Sequence, residues 1–343
     1  MTYADSRRKG DFIMKIKKLS AMILAGAMAV TALAGCGTKT ADTKTSTADG
    51  KTYKIGMCQL VQHDALDKAS EGFQDALKEK LGDKVEFDLQ NAAGDSATCA
   101  TIVNQFVSSG NDLIFANATP ALQAAAAATS DIPVIGTSIT DYATALDIDD
   151  WSGVTGRNIT GTSDLAPLAE QAAMFKELLP DAKKIGLLYC SSEANSKYQI
   201  DVVTEELTKL GYECTPYAFA DSNDVAAVTT TACDNSDALY IPTDNTAAAN
   251  TEIIANIANP ANIPVIAGEE GICQGCGIAT LSISYYSIGQ IAGEMAYEIL
   301  VNGADPSTME VKYAQDLTKK YVKERAEKLG ITVPDGYEEL ATE

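Results

Sequence analysis

The chain has 343 residues, 46% of them hydrophobic and 21% charged, which is too apolar for disorder and long enough for about two domains of ordinary size. Its 26 basic residues face 47 acidic ones, a formal charge of −21, so neither a nucleic acid nor a bare anionic membrane surface is expected as partner. A single histidine, His63, excludes a histidine-rich metal site and a two-histidine catalytic centre.

Residues 1–36 read as an address. From Met14 the chain runs Met-Lys-Ile-Lys-Lys, then an apolar stretch from Leu19 to Leu33, then Leu33-Ala34-Gly35-Cys36. Basic, apolar and small-residue regions in that order are a secretory signal, and the apolar stretch is shorter than the roughly twenty residues that span a bilayer. The Leu-Ala-Gly-Cys run resembles a bacterial lipobox, which makes Cys36 the expected lipidation site and first mature residue. Residues 1–13 fit no part of a signal and read as an over-long gene start or an appended segment. Loss of residues 1–36 leaves 20 basic against 45 acidic residues. Residues 37–52 have no hydrophobic period and are expected to form a flexible linker.

Beyond Tyr53 short apolar runs alternate with longer amphipathic ones, the pattern of parallel strands covered by helices. Expected strands are Tyr53–Gln59, Val85–Gln90, Asp112–Ala116 and Ile132–Gly136. Between them Ala65–Leu81, Ala97–Ser109 and Pro120–Thr129 read as helices, the first capped by Asp64 and ended by Gly82. The series then restarts: Lys184-Ile185-Gly186 echoes Lys54-Ile55-Gly56, and Ile263-Pro264-Val265-Ile266 echoes Ile132-Pro133-Val134-Ile135, at spacings of 77 and 78 residues. A repeat of this length predicts two similar α/β, Rossmann-like lobes with parallel sheets joined by a hinge. The polar stretch Gly153–Pro167 reads as the break between them. A strand at Ile278–Ser284 and a helix at Ile288–Asn302 follow. The expected division is 53–162 with about 285–305 for the N-terminal lobe, and 163–284 with about 306–343 for the C-terminal lobe and tail.

Open parallel sheets bind ligands beyond the carboxyl ends of their strands, so two facing lobes place the site in the cleft between them. Those ends carry Gln59, Gln62 and His63, then Gln90 and Asn91, then Asn117-Ala118-Thr119-Pro120. With Thr119 as cap and Pro120 at the first helical position, free N–H groups there can hold a carboxylate. The equivalent place in the second half is Pro242-Thr243-Asp244-Asn245-Thr246, now with an acid. Asp164 stands at the lobe crossing, and Glu269 with Glu270 follows the strand near Val265; both glutamates are also readable as a solvated turn. Donors for an anion on one side and acids for a cation on the other match a zwitterion. Tyr142, Tyr198, Tyr285 and Tyr286 lie near strand ends and are candidate pocket walls. Only Arg157 and Arg325 follow the signal, which argues against a phosphate or dicarboxylate ligand.

No Gly-x-Ser-x-Gly elbow, Walker-type loop or Gly-x-Gly-x-x-Gly turn is present, so no enzymatic activity, cofactor or metal is expected. Seven cysteines follow Cys36, and Cys273-Gln-Gly-Cys276 is the one close pair, best read as a structural disulfide or two idle thiols.

From Lys54 to about Gly330 the chain resembles the ABC-transporter substrate-binding lipoproteins of the tryptophan/tyrosine type, a branch of the type I periplasmic-binding-protein fold. The resemblance lies in Ile55-Gly56-Met57-Cys58-Gln59 with His63-Asp64-Ala65-Leu66-Asp67, Gln90-Asn91-Ala92-Ala93-Gly94-Asp95, Ala118-Thr119-Pro120 and Thr160-Gly161-Thr162-Ser163-Asp164-Leu165. It continues through Glu193-Ala194-Asn195-Ser196, Pro242-Thr243-Asp244-Asn245-Thr246 and Tyr285-Tyr286-Ser287-Ile288-Gly289. It implies a cleft that closes on an amino acid, often aromatic, and delivers it to a membrane permease. On matching positions it implies Thr119, Ser138 and Ser163 near the ligand carboxylate, Asp164 and Asp244 near the amine, and Asn195 close by. Gln59, His63, Asn91, Tyr142, Glu270 and Tyr285 complete the expected lining. The chain departs from relatives at Ser282-Ile283-Ser284-Tyr285-Tyr286, where Gly-Ile-Asp-Tyr-Tyr is frequent, and at Tyr142, where a proline is usual.

The expectation is a monomeric, lipid-anchored receptor on the outer face of the cell membrane that serves an ABC importer. Other readings are a receptor for a neutral nucleoside or sugar-like ligand, a ligand-sensing surface lipoprotein, and an enzyme using the paired acids with Cys273 and Cys276.

Overall fold

The computed structural model describes residues 50–314 and 317–341, so the signal-like segment and Cys36 lie outside the described residues. The first lobe begins with β1 (Tyr53–Gln59), α1 (Asp64–Leu81), β2 (Val85–Asn91), α2 (Ser96–Ser108) and β3 (Leu113–Asn117). It continues with α3 (Thr119–Ala128), β4 (Val134–Ile139), α4 (Tyr142–Leu146) and β5 (Ile159–Ser163). The second lobe follows with α5 (Leu168–Leu178), β6 (Lys184–Cys190), α6 (Ala194–Lys209), β7 (Glu213–Phe219), α7 (Val225–Asn235) and β8 (Ala238–Ile241). Then come α8 (Asn245–Ala248), α9 (Thr251–Ala261), β9 (Val265–Ala267), α10 (Glu270–Cys276) and β10 (Ala279–Ser282). The chain returns through α11 (Tyr285–Asn302) and β11 (Lys312–Tyr313), and ends with β12 (Thr318–Tyr321), α12 (Lys323–Lys328) and β13 (Glu338–Glu339).

The strand orders are β11-β5-β4-β3-β1-β2 and β13-β12-β10-β9-β8-β6-β7. Each sheet therefore holds the same five-strand doubly wound order, with the repeat at β1 and β6, and among the described residues the only antiparallel pair is β10 with β12. Strands buried on both faces need near-continuous apolar runs, and β3, β8 and β9 are buried at every residue. In both sheets the strand order reverses between the first and third strand, which opens a crevice at the carboxyl ends of β1 and β3 and of β6 and β8.

Two expectations need correction here. The stretch Gly153–Pro167 is not a plain break, because it contains β5, a fully buried strand. Its residues, Ile-Thr-Gly-Thr-Ser, show no apolar run. Threonine nevertheless has the β-branched shape of valine, and its hydroxyls are satisfied inside: Thr162 Oγ1 meets Thr137 Oγ1 at 2.9 Å and Thr160 Oγ1 donates to the Met309 carbonyl at 3.0 Å. The segment from 306 onward also divides. Val311 is buried in the first lobe and β11 pairs with β5, so only the chain from β12 on joins the second sheet.

Helix α11 returns the chain to the first lobe and packs along α1. Met295, Ala292, Ala296 and Ile299 meet Phe73, Leu77, Leu113 and Phe115, with Phe73 stacked on Phe115 at 4.0 Å between centroids. The two helices touch through glycines. A Cβ at Gly289 would lie 2.1 Å from the Ala69 carbonyl oxygen, and one at Gly72 would lie 2.1 Å from that of Tyr286. Backbone on the far side cannot yield as a side chain does, so Gly289→Ala is expected to destabilise the protein by about 2–3 kcal/mol. A urea unfolding midpoint unchanged from wild type would contradict this packing.

Candidate functional site

The corresponding strand ends of the two lobes carry opposite chemistry. After β3 the residue before the helix is Ala118, at φ +88°, and α3 has no side-chain cap, with Pro120 in its first turn. After β8 the same place is Asp244, whose Oδ1 accepts from the Ala247 amide at 2.8 Å. Thr119 is thus not the cap that the sequence suggested but a buried residue of the first helical turn, and the amide donors of α3 keep no protein side chain as acceptor. The β3–β4 register ends at Asn117 with Thr137, and Ser138 is the next residue of β4 as Ala118 is the next after β3. Ser138 lies where the β4–β5 register shifts, at φ +55°, and its Oγ is buried without a hydrogen-bond partner although the residue is only 6% exposed. A strained non-glycine backbone and an unpaired buried hydroxyl at one strand end are features kept where something else binds.

The acids gather at the lobe crossing and in the second lobe. Asp164 follows β5; its Oδ1 accepts from Thr140 Oγ1 at 3.1 Å and its Oδ2 from Tyr285 Oη at 2.9 Å. Burial raises its pKa to about 6 against the opposing pull of those two hydroxyls. Glu269 is no solvated turn: it is buried, caps α10 through the Gly271 and Ile272 amides at 2.7 and 2.5 Å, and is pushed up to about 7 by burial, with Glu270 and Asp164 adding to the shift. Asp244 is raised by burial and then by repulsion from Glu193. Its Oδ2 takes the Cys190 amide at 2.6 Å, so both of its oxygens already hold the second lobe together.

The other expected residues divide. Asn195 is buried, with Nδ2 given to Glu193 at 3.2 Å and the Thr243 carbonyl at 3.1 Å while Oδ1 has no partner. His63, rather than Asp64, holds the cap position of α1 and makes no capping bond. Its Nε2 lies 3.3 Å from Asn245 Oδ1 in the other lobe. Gln59 is spent internally, with Nε2 on Asp67 at 2.6 Å and Oε1 accepting from Ser70 at 2.7 Å. Ser163 Oγ donates to the Thr140 carbonyl at 2.9 Å. Asn91 is exposed and closes its own turn on the Ala93 amide at 2.7 Å. Tyr142 belongs to the first-lobe core: its hydroxyl reaches the Thr162 carbonyl at 3.3 Å and its ring stacks with Trp151. Glu270 is engaged by Ser282 and by Lys320 at 2.7 Å. Cys273 and Cys276 are buried free thiols with raised pKa, hence poor nucleophiles.

Sequence reasoning gave no role to Glu193. It is buried and accepts five hydrogen bonds, from Asn195, from the Asn245 amide and side chain, and from the Thr246 amide and hydroxyl. The signal was present: Glu193 holds the cap position of α6 just past β6, as His63 holds that of α1 past β1. Two cavities lie along the seam where α1 faces α10, one of about 530 Å³ reaching Glu269 and Tyr285, the other of about 480 Å³ reaching His63 and Gln274.

The family profile "ABC transporter substrate binding protein" matches residues 54–343. The chain is 38% identical over 295 residues to the tyrosine-binding protein of Clostridioides difficile, covering 84% of this chain and 85% of that one. An ABC domain in complex with L-Trp from Streptococcus pneumoniae superposes with TM-score 0.80 at 34% identity, over 83% of this chain and 97% of that one. The ligand-free, open structure of a substrate-binding protein with adhesive properties from Clostridium difficile gives TM-score 0.65 at 36% identity, over 85% and 100%. No helix among the described residues is long and apolar enough to cross a membrane. With two lobes of one topology, opposite chemistry at their facing strand ends and a profile match from Lys54 onward, the chain belongs to the ABC transporter substrate-binding protein family, with the type I periplasmic-binding-protein fold.

Proposed function

We propose that the chain captures an aromatic L-amino acid in the cleft between its lobes and hands it to the permease of an ABC importer, without chemical change. One observation carries the ligand class: Asp164, Glu269 and Asp244 are buried carboxyls whose charged forms burial disfavours, and among the described residues none of them is in an ion pair. Carboxylates removed from water without a counter-ion are unfavourable, and a bound ammonium supplies one. Asp164 and Glu269 receive it in this reading, with Asn195 Oδ1 as a further acceptor, while Asp244 acts through its field. Across the cleft the open N-terminus of α3 and Ser138 Oγ receive the carboxylate; backbone amides at a helix start bind anions without an arginine.

A neutral sugar or nucleoside would leave those carboxyls unpaired and is disfavoured on that ground. The aromatic side chain is supported by the tyrosine-binding relative and the tryptophan-bound neighbour. Family membership gives an extracytoplasmic place of work, and the lipobox-like run before Cys36 supports a lipid tether there.

Calorimetry with the twenty amino acids tests the reading. L-Tyrosine or L-tryptophan is expected to bind at micromolar concentration, about −8 kcal/mol. No heat and no thermal shift with any of them overturns it. Ser138→Ala is expected to weaken binding about fivefold to tenfold through one lost hydrogen bond, without lowering the stability of the free protein, because Oγ has no partner there. Equal affinities would remove Ser138 from the site.

A further inference from the structure

We infer that His63 and Asn245 form the latch that holds the closed lobes together, and that Glu193 is the positioning residue that sets Asn245 for it. The latch rests on the cleft closing over a ligand, as proposed above. His63 belongs to the first lobe and Asn245 to the second, 182 residues apart, and their side chains meet at 3.3 Å.

The orientation of that contact is fixed from behind. Asn245 Nδ2 donates to Glu193 Oε2 at 2.6 Å, so the amide cannot flip without setting its oxygen against a carboxylate, and Oδ1 must face His63. Two carbonyl-type lone pairs then demand a donor, and His63 must carry its proton on Nε2. Glu193 is itself immobilised, with Thr246 giving its amide at 2.8 Å and its hydroxyl at 2.7 Å to Oε1. The second lobe thus presents a rigid acceptor, and the first a single donor at the cap of α1 that makes no capping bond. The chain superposes less well on the ligand-free, open relative, at TM-score 0.65, than on the tryptophan-bound neighbour, at 0.80, which supports reading the contact as one made by closed lobes. At 3.3 Å the bond is long and between neutral groups, which suits a catch that must release.

A latch formed only after closure acts on departure of the ligand. In the full chain, with L-tyrosine as probe and the fluorescence of Trp151 as readout, His63→Ala is expected to raise the dissociation rate roughly threefold to tenfold. The association rate should stay within about twofold and the melting temperature of the free protein should not change. His63→Gln, which keeps an N–H at similar reach, should recover most of the lost residence time. Glu193→Gln should speed dissociation without touching His63. A dissociation rate for His63→Ala equal to wild type, or no recovery in His63→Gln, overturns the latch while wild-type binding leaves the ligand assignment intact. If wild type binds no amino acid, that assignment fails by itself. Oxidative cross-linking then decides the latch: a His63→Cys, Asn245→Cys double variant that is trapped as a cross-linked species when the lobes close supports it, and no cross-link rejects it.

Discussion

Asp164→Asn is expected to bind L-tyrosine about a hundredfold more weakly than wild type, because an ammonium loses a buried charged acceptor whose geometry is already fixed. Thr140 and Tyr285 hold the Asp164 carboxylate in place before any ligand arrives, so no ordering cost falls on binding. The same substitution should leave the free protein as stable at pH 8, or more so. Burial raises this carboxyl from 3.8 to about 6, so its ionised form is disfavoured in the fold, by an amount of the order of 3 kcal/mol. An isosteric amide carries no such penalty. Affinity lost with stability kept or gained separates a binding carboxylate from a structural one. Calorimetric titration together with thermal unfolding at pH 8 checks both halves, and unchanged affinity would remove Asp164 from the site.

The dissociation constant for L-tyrosine is expected to rise about tenfold between pH 7 and pH 5. With a pKa of about 6, Asp164 is mostly ionised at pH 7 and mostly protonated at pH 5, whereas the ligand ammonium stays charged throughout. Glu269, at about 7, extends the dependence toward pH 8. The sign for the free protein is opposite. Acids whose folded pKa lies above the unfolded value stabilise the fold while protonated, fully below about pH 4, and that contribution is lost as pH rises through 6 to 7. The unliganded melting temperature should therefore fall from pH 5 to pH 8 while the shift caused by ligand grows. Binding near pH 6 must also release protons, visible as a binding heat that depends on the ionisation enthalpy of the buffer. An affinity flat from pH 5 to pH 8, or tighter in acid, would contradict an ammonium seat built from these carboxyls. The slope should flatten in Asp164→Asn, which separates the site from the general repulsion of a chain at −21.

Much of the scaffold was legible because buried parallel strands leave a plain trace. Leu113-Ile-Phe-Ala-Asn117 has no polar side and is buried throughout, and the echoes at Lys184-Ile185-Gly186 and Ile263-Pro264-Val265-Ile266 announced the second lobe. β5 left no such trace, since its buried threonines look like a loop until their hydroxyl partners on β4 and near Met309 are known. The return of residues 306–313 to the first sheet depends on Val311 finding a buried place there, which no local pattern encodes.

The candidate site was legible where position in the repeat sufficed to place a residue at a strand end. Asp164, Asp244 and Glu269 stand just past strands and are all buried. Glu193 stands at an equivalent position and was passed over. What the sequence did not carry was direction. Tyr142 follows β4 as a wall residue would, but its ring turns into the core beneath Gly136 and Gly161, which leave room for its hydroxyl. Ser138 is an ordinary serine in sequence. Its unpaired hydroxyl arises from a register shift between β4 and β5 and a backbone at φ +55°, both products of the assembled sheet.

A crystal structure of the protein grown with L-tyrosine tests the central claim most directly. The ammonium is expected within about 3 Å of Asp164 or Glu269, with the ligand carboxylate against the first turn of α3 and Ser138 Oγ. A ligand bound outside the cleft, or seated there with its carboxylate toward Asp164, would contradict it.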